Sequence, residues 1–334
     1  MPIVPSSYRS PWWLPGGHLQ TLAPALFGSR RNPGYRRQRV ELPDGDFLDL
    51  DWLRNGSSHL AILVHGLEGS SFSPYMTGMA RALRSADHAW DVLSINLRGC
   101  GGEPNRTLRF YHSGETGDLR TILKTNTAPY SSVALIGFSL GGNVVLKYLG
   151  EAPDEVDSKI AAAIAFSVPC HLATSAEVLA RPINRIYMFR FLRTLIAKIR
   201  HQAHRLPQAI DLTGIGSIRT FKAFDGRFTG PLHGFRDAED YWAKCSSRQF
   251  LPAIRIPTLL VNARNDPFLS PECFPEDEAR SHRRLFLECP ASGGHLGFPG
   301  WKTGSPSWIE ERVLSFLDTV VENPKTDLDP RRIE

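Results

Sequence analysis

Apolar runs alternate with stretches of helical spacing along most of the chain. The apolar runs are "HLAILVHG", "WDVLSINL", "SSVALIGF", "KIAAAIAF", "IPTLLV" and "RRLFLE". Each run is short and bounded by turn-forming residues, as expected of a strand that is buried on both faces. Helical spacing appears in "SPYMTGMARALRSA" and in "LGGNVVLKYLGE". Strands that alternate with helices predict an α/β protein built on a mostly parallel sheet.

Local signals add further elements to this pattern. The segment "YRRQRVELPDGDFLDLDWLR" has alternating runs on both sides of Pro43-Asp44-Gly45, which predicts a β-hairpin. Ser73 is expected to cap the first regular helix, with Pro74 at its first position. A short helix is predicted over residues 115–124, and "SWIEERVLSFLDTVVEN" predicts a helix near the end of the chain.

Two parts of the chain do not follow the alternation. The first 35 residues are rich in proline, glycine and arginine, and this composition predicts an irregular arm. After the fourth apolar run comes the long helical stretch "RPINRIYMFRFLRTLIAKIRHQAHR", followed by sequence that predicts irregular structure. We interpret this second part as a cap inserted into one body. The predicted organisation is an N-terminal arm (1–35), an α/β core (36–170 and 248–323), the cap (171–247) and a C-terminal tail (324–334).

Composition places the chain among ordinary globular proteins. Of its 334 residues 42% are hydrophobic and 22% are charged, which is typical of a protein with a sizeable core. The net charge of +5 is a mild excess and does not indicate nucleic acid as a partner. Five cysteines without a C-x-x-C pair predict neither disulfides nor a zinc site and fit a reducing cytosol. We find neither a secretory signal nor a run of about 18 apolar residues, so we expect a cytoplasmic protein.

The stretch Gly137-Phe138-Ser139-Leu140-Gly141 has the form G-x-S-x-G. With ordinary residue usage, a chain of this length shows the pattern by chance about one time in six. Here, however, a predicted strand runs directly into it and a predicted helix follows, and this context is typical of a nucleophile elbow. The alternative is a serine that only caps the helix. The context favours Ser139 as a catalytic nucleophile.

A nucleophilic serine needs a base, and the base needs an acid that orients it. His295 follows the last predicted strand in a glycine-rich loop, and Asp266 follows the strand before it. Both therefore lie at the carboxyl edge of a parallel sheet, where active sites form. The chain order Ser, Asp, His is the one expected of α/β-hydrolases. The alternatives are a packed histidine and a turn-forming Asp before Pro267. Weaker candidates are His18, His65 and His112 for the base, and Asp237 and Asp240 for the acid.

Acyl transfer also requires hydrogen-bond donors for the developing oxyanion. The expected donors are the backbone N–H groups of Leu140, directly after the serine, and of Leu67 in "HGLEG". We expect His65 to shape that loop, whereas Glu68 has no evident role. The chain has no HExxH and no clustered acidic loop, and "RGCGGEP" is not a dinucleotide fingerprint. We therefore predict no metal and no cofactor.

The cap is basic and amphipathic. Residues 178–210 contain seven Lys or Arg and no acid, and apolar residues from Met188 to Ile199 fall at helical spacing. Such a helix either lies on the body with its charges in water or contacts an anionic membrane surface transiently. In both cases it gives an apolar roof over the serine, which suits an acyl chain.

Seven segments carry a family resemblance: "GGHLQTL", "VHGLEGS", "NLRGCGG", "IGFSLGGN", "FDGRFTGPLHGF", "NARNDPF" and "GGHLGF". Through them nearly the whole chain resembles α/β-hydrolases of the YheT-like branch, also called AB hydrolase family 4. The resemblance implies a mostly parallel eight-stranded hydrolase sheet, and a triad of Ser139, Asp266 and His295. It implies ester or lipid hydrolysis, or acyl transfer to alcohols. The chain lacks the apolar N-terminal anchor and the H-x-x-x-x-D motif of some relatives.

These observations favour a serine carboxylesterase that acts on short- to medium-chain or lipid-like esters. The expected partner is a small-molecule ester, with no nucleic acid. An acyltransferase with the same triad, in which an alcohol replaces water, is the first alternative. A lipid- or partner-binding protein that keeps the fold without the chemistry is the second.

Overall fold

The computed structural model describes residues 3–86, 89–205, 210–300 and 307–322. These residues contain one mixed sheet of nine strands: β1 (Ile3–Val4), β2 (Arg36–Glu41), β3 (Phe47–Leu53), β4 (His59–Val64), β5 (Asp91–Asn96), β6 (Ser132–Phe138), β7 (Ile160–Phe166), β8 (Thr258–Val261) and β9 (Leu285–Glu288). Their order across the sheet is β1-β9-β8-β7-β6-β4-β5-β3-β2. Strands β4 to β9 and β1 are parallel, and β3 runs antiparallel to its neighbours β2 and β5. The predicted hairpin is therefore confirmed as β2 and β3.

The α-helices are α1 (Gly16–Phe27), α2 (Pro74–Ser85), α3 (Thr116–Asn126), α4 (Leu140–Glu151), α5 (Leu172–Ala180), α6 (Arg185–Arg205), α7 (Phe221–Phe224), α8 (Gly230–Leu232), α9 (Ala238–Cys245), α10 (Glu276–Ser281) and α11 (Trp308–Glu322). A π-helical turn, Asp225–Thr229, joins α7 and α8. Short 3₁₀ turns lie at Pro153–Glu155, Pro182–Asn184, Ile215–Ser217, Ser247–Ala253 and Pro271–Cys273. Ser73 precedes α2 as predicted, but its side chain makes no capping hydrogen bond.

The sheet is covered on both faces. Helices α3, α4 and α10 pack on one face, and α2 and α11 pack on the other. In β4, Leu60, Ile62 and Val64 point to the α4 face, whereas Ala61 and Leu63 point to the α2 face. All five are at most 1% exposed. Because neither face meets water, the strand is apolar at every position instead of at alternate ones.

The first 35 residues are not an irregular arm, contrary to the expectation from sequence. Ile3–Val4 adds a ninth strand at the sheet edge, where the family resemblance implied eight, and α1 spans Gly16–Phe27. A strand of two residues is too short to show a periodicity. Helix α1 starts with two glycines and contains Pro24, all of which disfavour a helix in isolation. It forms because it packs against loops that are distant in sequence.

The chain between β7 and β8 contains helices α5 to α9, so its second half is not irregular either. The elements after α6 are three to eight residues long, too short to predict from periodicity. Their apolar side chains form a cluster that also includes Phe110 and Phe268. The boundaries of the predicted cap stay a prediction, and we call residues 171–247 the cap segment. The predicted tail, 324–334, lies outside the described residues.

No helix in the described part of the chain combines the length and apolar character that crossing a membrane requires. All five cysteines are free thiols, and Cys170, Cys245 and Cys273 are buried.

Candidate active site

Ser139 lies in the sharp turn between β6 and α4. Its φ is +53°, in a region that L-residues with a side chain rarely occupy. The turn is crowded, because a Cβ at Gly137 would lie 2.6 Å from the carbonyl oxygen of Gly141. Although Ser139 precedes α4 directly, its side chain makes no capping hydrogen bond. The alternative role of a helix cap is therefore wrong, and the hydroxyl points elsewhere.

Three side chains from three separate loops form one chain of hydrogen bonds. The Nε2 atom of His295 lies 2.9 Å from Ser139 Oγ. The Nδ1 atom of His295 lies 2.9 Å from Asp266 Oδ2 and 3.1 Å from Oδ1. Because a carboxylate accepts the proton on Nδ1, Nε2 is left as the acceptor for the serine proton. The structure thus brings together the serine, histidine and aspartate that the sequence singles out.

The Asp266 carboxylate has two partners. Besides the imidazole, it accepts the N–H of Phe268 at 2.9 Å, so the residue forms a local turn as well. Its side chain is fully buried, and that of His295 is 9% exposed. The Phe268 ring lies 4.2 Å from the imidazole, centroid to centroid. The imidazole is therefore held on one edge by the carboxylate and on one face by an aromatic ring.

The weaker candidates lie in other environments. His18 contacts the Tyr187 hydroxyl, and His112 is buried beside His233, with ring centroids 4.6 Å apart. Asp237 caps α9 by accepting the N–H of Asp240 at 2.7 Å. The carboxylate of that second aspartate pairs with Arg236 and Lys244. None of them forms a hydrogen bond with Ser139 or His295 in the described part of the chain.

The two amides expected to bind an oxyanion flank the serine. Leu140 is the first residue of α4, where N–H groups have no partner within the helix. Leu67 follows Gly66, and a Cβ at Gly66 would lie 3.1 Å from the Ser139 Cβ. The loop therefore passes directly against the serine. Within the described residues neither amide donates a hydrogen bond to the protein, so both remain available to a ligand.

His65 holds the loop that contains Leu67. Its Nδ1 lies 2.7 Å from the carbonyl oxygen of Gly66, and its Nε2 accepts the N–H of Leu97 at 3.1 Å. Burial lowers the pKa of His65 to about 4. The ring is therefore neutral near pH 7, which leaves Nε2 free to accept. This arrangement agrees with the expectation that His65 shapes the loop and is not the base.

Helix α1 holds the loop of His295. The N–H of His295 donates to Thr21 Oγ1, and the N–H of Gly293 donates to Gln20 Oε1, both at 2.8 Å. The same Gln20 oxygen accepts the side-chain amide of Asn265 at 2.9 Å, next to the aspartate. Gln20 is 1% exposed and Thr21 7%. Two buried polar side chains of α1 thus fix the histidine and aspartate loops relative to each other.

The serine and histidine face a pocket between the sheet and the cap segment. Its apolar lining includes Leu172, Leu179, Phe191, Leu195, Phe221 and Phe224. Asp225 also lines it, accepting hydrogen bonds from the Thr229 hydroxyl at 2.6 Å and the Trp242 indole at 2.9 Å. Burial raises the pKa of Asp225 to about 6. A mostly apolar pocket with a few polar groups suits a ligand that has a hydrocarbon part.

Comparisons with known proteins identify the family to which the chain belongs. A family model described as "alpha/beta hydrolase fold" matches residues 62–299. The chain is 36% identical to the YheT protein of Escherichia coli (strain K12), a protein named as an esterase, and the match covers 91% of each chain. The chain belongs to the α/β-hydrolase family. Within this family it is YheT-like, as the seven sequence segments indicate.

Further proteins that the chain resembles carry related names. The phospholipase ABHD3 of Mus musculus is 28% identical, with 96% of this chain and 80% of that protein covered. The monoacylglycerol lipase of Saccharomyces cerevisiae is 29% identical, with 93% and 70% covered. The esterase Pf2001 of Pyrococcus furiosus has the same fold, with a TM-score of 0.56 and 17% sequence identity. The match covers 87% of this chain and 96% of that protein. The names of the YheT protein, the phospholipase and the lipase support a hydrolase of the esterase and lipase type, and the Pf2001 structure supports the fold.

A cap-segment lysine reaches the loop that contains Leu67. Lys198 Nζ on α6 donates to Glu68 Oε1 at 2.7 Å and to Cys100 Sγ at 3.1 Å. The Tyr111 hydroxyl accepts the N–H of Glu68 at 2.7 Å and donates to its carboxylate at 2.6 Å. Burial favours a lower pKa of Lys198, but Cys100 and Glu68 raise it, so the ammonium stays charged. Glu68, to which the sequence assigns no evident role, thus links the loop that contains Leu67 to the cap segment.

Sequence reasoning missed Gln20, Thr21 and Lys198. The segment "GGHLQTL" offered a signal for the first two, since it marks the family although it contains no catalytic residue type. Its glycines lie directly against those of the loop that contains His295, because a Cβ at Gly294 would lie 2.7 Å from the Gly17 carbonyl oxygen. Nothing in the sequence pairs a lysine in the cap segment with a glutamate 130 residues earlier.

We predict that Thr21→Val lowers kcat by about 10- to 100-fold, because the His295 amide loses its acceptor and the imidazole shifts relative to Ser139. Steady-state kinetics on a p-nitrophenyl ester measures the effect. Thr21→Ser keeps the hydroxyl and is expected to retain most of the activity. Equal kcat values for the valine and serine variants, at matched thermal stability, would show that the hydrogen bond does not position the histidine.

We also predict that Lys198→Met lowers kcat about tenfold with a smaller change in KM, because the Leu67 amide loses part of its support. Lys198→Arg is expected to recover part of the loss. Lys222→Met is the matched control, since Lys222 lies in the cap segment and pairs with Glu239 at the surface. A change in KM alone would mean that Lys198 affects only the shape of the pocket and not the position of the Leu67 amide.

Proposed function

We propose that the protein is a serine carboxylesterase that works through an acyl-enzyme on Ser139. The observation that carries the proposal is the 2.9 Å contact between His295 Nε2 and Ser139 Oγ, with Asp266 on the opposite ring nitrogen. This contact faces an apolar pocket. A nucleophile, a base with an orienting acid, and a cavity for the substrate are the parts that acyl transfer requires.

In the acylation step Ser139 Oγ attacks the carbonyl carbon of the ester, and His295 Nε2 accepts the hydroxyl proton. The carbonyl oxygen becomes an oxyanion, to which the N–H groups of Leu67 and Leu140 donate. Asp266 keeps the proton on Nδ1 and stabilises the imidazolium that forms. Collapse of the tetrahedral intermediate breaks the bond to the alcohol oxygen, and that oxygen takes the proton from Nε2.

In the deacylation step a water molecule takes the place of the alcohol. His295 Nε2 accepts a proton from this water as the water oxygen attacks the acyl carbon. The same two amides hold the second oxyanion. When the intermediate collapses, Ser139 Oγ leaves and recovers the proton from the imidazolium, and the carboxylic acid is released.

The substrate that we propose is an ester with a short- to medium-length acyl chain or a lipid-like ester. Support comes from the lining of the pocket, where phenylalanine and leucine side chains of the cap segment face the serine. Burial of an alkyl chain against such a surface is favourable by about 0.8 kcal/mol per methylene. Relatives named as a phospholipase and a monoacylglycerol lipase point in the same direction.

We predict that Ser139→Ala lowers kcat/KM for p-nitrophenyl butyrate by about 10⁴-fold or more, since the nucleophile is gone. Ser175→Ala is the matched control, because Ser175 also lines the pocket and is 3% exposed but contacts Cys273 rather than His295. The control is expected to stay within about tenfold of the parent. Retention of wild-type activity by Ser139→Ala would refute the proposal.

Product analysis in the same assay with added ethanol separates water from alcohol as the acceptor. The proposed esterase releases mainly free acid. Ethyl ester as the main product, at low ethanol, would instead assign the protein as an acyltransferase with the same catalytic residues.

A further inference from the structure

The large apolar side chains exposed to solvent are concentrated in two segments. Across the described residues, the exposed ones are Trp12, Trp13, Leu19, Leu26, Phe27, Ile183, Ile186 and Phe189. Their exposed fractions lie between 46% and 86%. Scattered single residues of this kind are common on protein surfaces, but a set confined to two short segments marks an interaction surface.

The two segments lie against each other. The His18 ring on α1 stacks on the Tyr187 ring on α6, with centroids 5.8 Å apart and planes 11° apart. Leu22, also on α1, packs against the apolar cluster to which Met188 and Leu192 of α6 belong. The first half of α1 therefore lies beside the first half of α6.

Each segment turns an apolar face outward. On α1, Leu19, Leu26 and Phe27 are exposed, while Gln20 and Thr21 are buried. Residues seven and eight positions apart share one face of a helix. Ile183, Ile186 and Phe189 follow each other at intervals of three and are 66% to 75% exposed, so they also form one face. We call the exposed residues of 12–27 and 183–193 the interfacial face.

The charge around the interfacial face has one sign. Neither residues 1–40 nor residues 178–210 contain an aspartate or a glutamate. Arg181, Arg185, Arg190 and Arg193 are exposed, and none of them forms an ion pair with a described residue. An apolar surface edged by unpaired arginines matches the interfacial region of a bilayer with anionic headgroups.

We propose that the interfacial face docks the protein on an anionic lipid bilayer. The tryptophan, phenylalanine, leucine and isoleucine side chains would enter the boundary between headgroups and acyl chains, and the arginines would contact lipid phosphates or carboxylates. This surface is wider than the basic helix expected from sequence, because residues 12–27 supply five of its eight large apolar side chains. The inference does not depend on the chemistry of Ser139.

The interfacial face lies close to the active site. Tyr187, beneath it, packs on Phe268 with ring centroids 4.7 Å apart, and Phe268 packs on His295. Phe191 and Leu195, on the inner side of the same helix α6, line the pocket. A protein docked through this face would therefore hold its pocket near the membrane surface, where lipid esters are found.

Charge argues against a second copy of the chain as the occupant. In a symmetric dimer the same surface meets itself, so two sets of unpaired arginines would face each other without an acid between them. Such a juxtaposition is repulsive. Anionic headgroups supply the missing negative charge.

The test is co-sedimentation with vesicles of phosphatidylcholine alone and of phosphatidylcholine mixed with phosphatidylglycerol. We expect the full chain to bind the mixed vesicles more tightly. Ile186→Ser/Phe189→Ser and Arg185→Gln/Arg190→Gln are each expected to weaken that binding by about tenfold or more. Lys222→Gln/Arg255→Gln removes two exposed charges elsewhere and is expected to bind as the parent does.

The same proteins are assayed on p-nitrophenyl butyrate in solution, where all variants are expected to match the parent. If the parent binds vesicles but does not hydrolyse the ester, the result counts against the proposed esterase and leaves the docking surface supported. Equal binding to both vesicle types, equal binding by all variants, or no binding would overturn the docking surface. So would a dimer in solution that only the face variants disrupt, without any vesicle binding.

Discussion

The hydrogen bond between Ser139 and His295 joins residues that are 156 positions apart in the chain. For proton transfer, two loops must meet to within about 0.5 Å of the productive geometry. A parallel sheet solves part of this problem, because the residues that follow β6, β8 and β9 all emerge at its carboxyl edge. The remaining precision comes from contacts outside the sheet. The glycines around Ser139 fix the turn, and the Asp266 carboxylate fixes the imidazole.

The elements outside the sheet serve these loops. Helix α1 donates no residue to the hydrogen-bond chain of the site, yet its buried Gln20 and Thr21 hold the histidine loop. Helix α6 reaches the opposite side of the site, where Lys198 binds Glu68 beside the Leu67 amide. Both helices also form the proposed interfacial face. The inner sides of α1 and α6 thus contact the loops that contain His295 and Leu67, and their outer sides face solvent. This placement would connect events at a membrane surface to the geometry of the site.

Much of the fold was accessible from sequence, because buried parallel strands leave continuous apolar runs and amphipathic helices leave a period. The three side chains of the site could be selected because each follows such a run. The elements and contacts that could not be predicted from sequence were missed for physical reasons. Helix α1 has poor intrinsic propensity and forms through tertiary contacts, β1 is two residues long, and the elements after α6 are too short to show a period. Lys198 and Glu68 meet only through the fold, and no local pattern encodes a contact of that kind.

The central claim is that Ser139 is a nucleophile activated by His295, and covalent labelling tests it most directly. A fluorophosphonate reacts with a serine only when its hydroxyl is activated, and mass spectrometry of the digested protein locates the adduct. The account predicts one phosphonate per chain, on the peptide that contains Ser139, with labelling strongly slowed by His295→Ala and by Asp266→Asn. An unlabelled parent, an adduct on another serine, or labelling of Ser139 at the same rate in His295→Ala would contradict it.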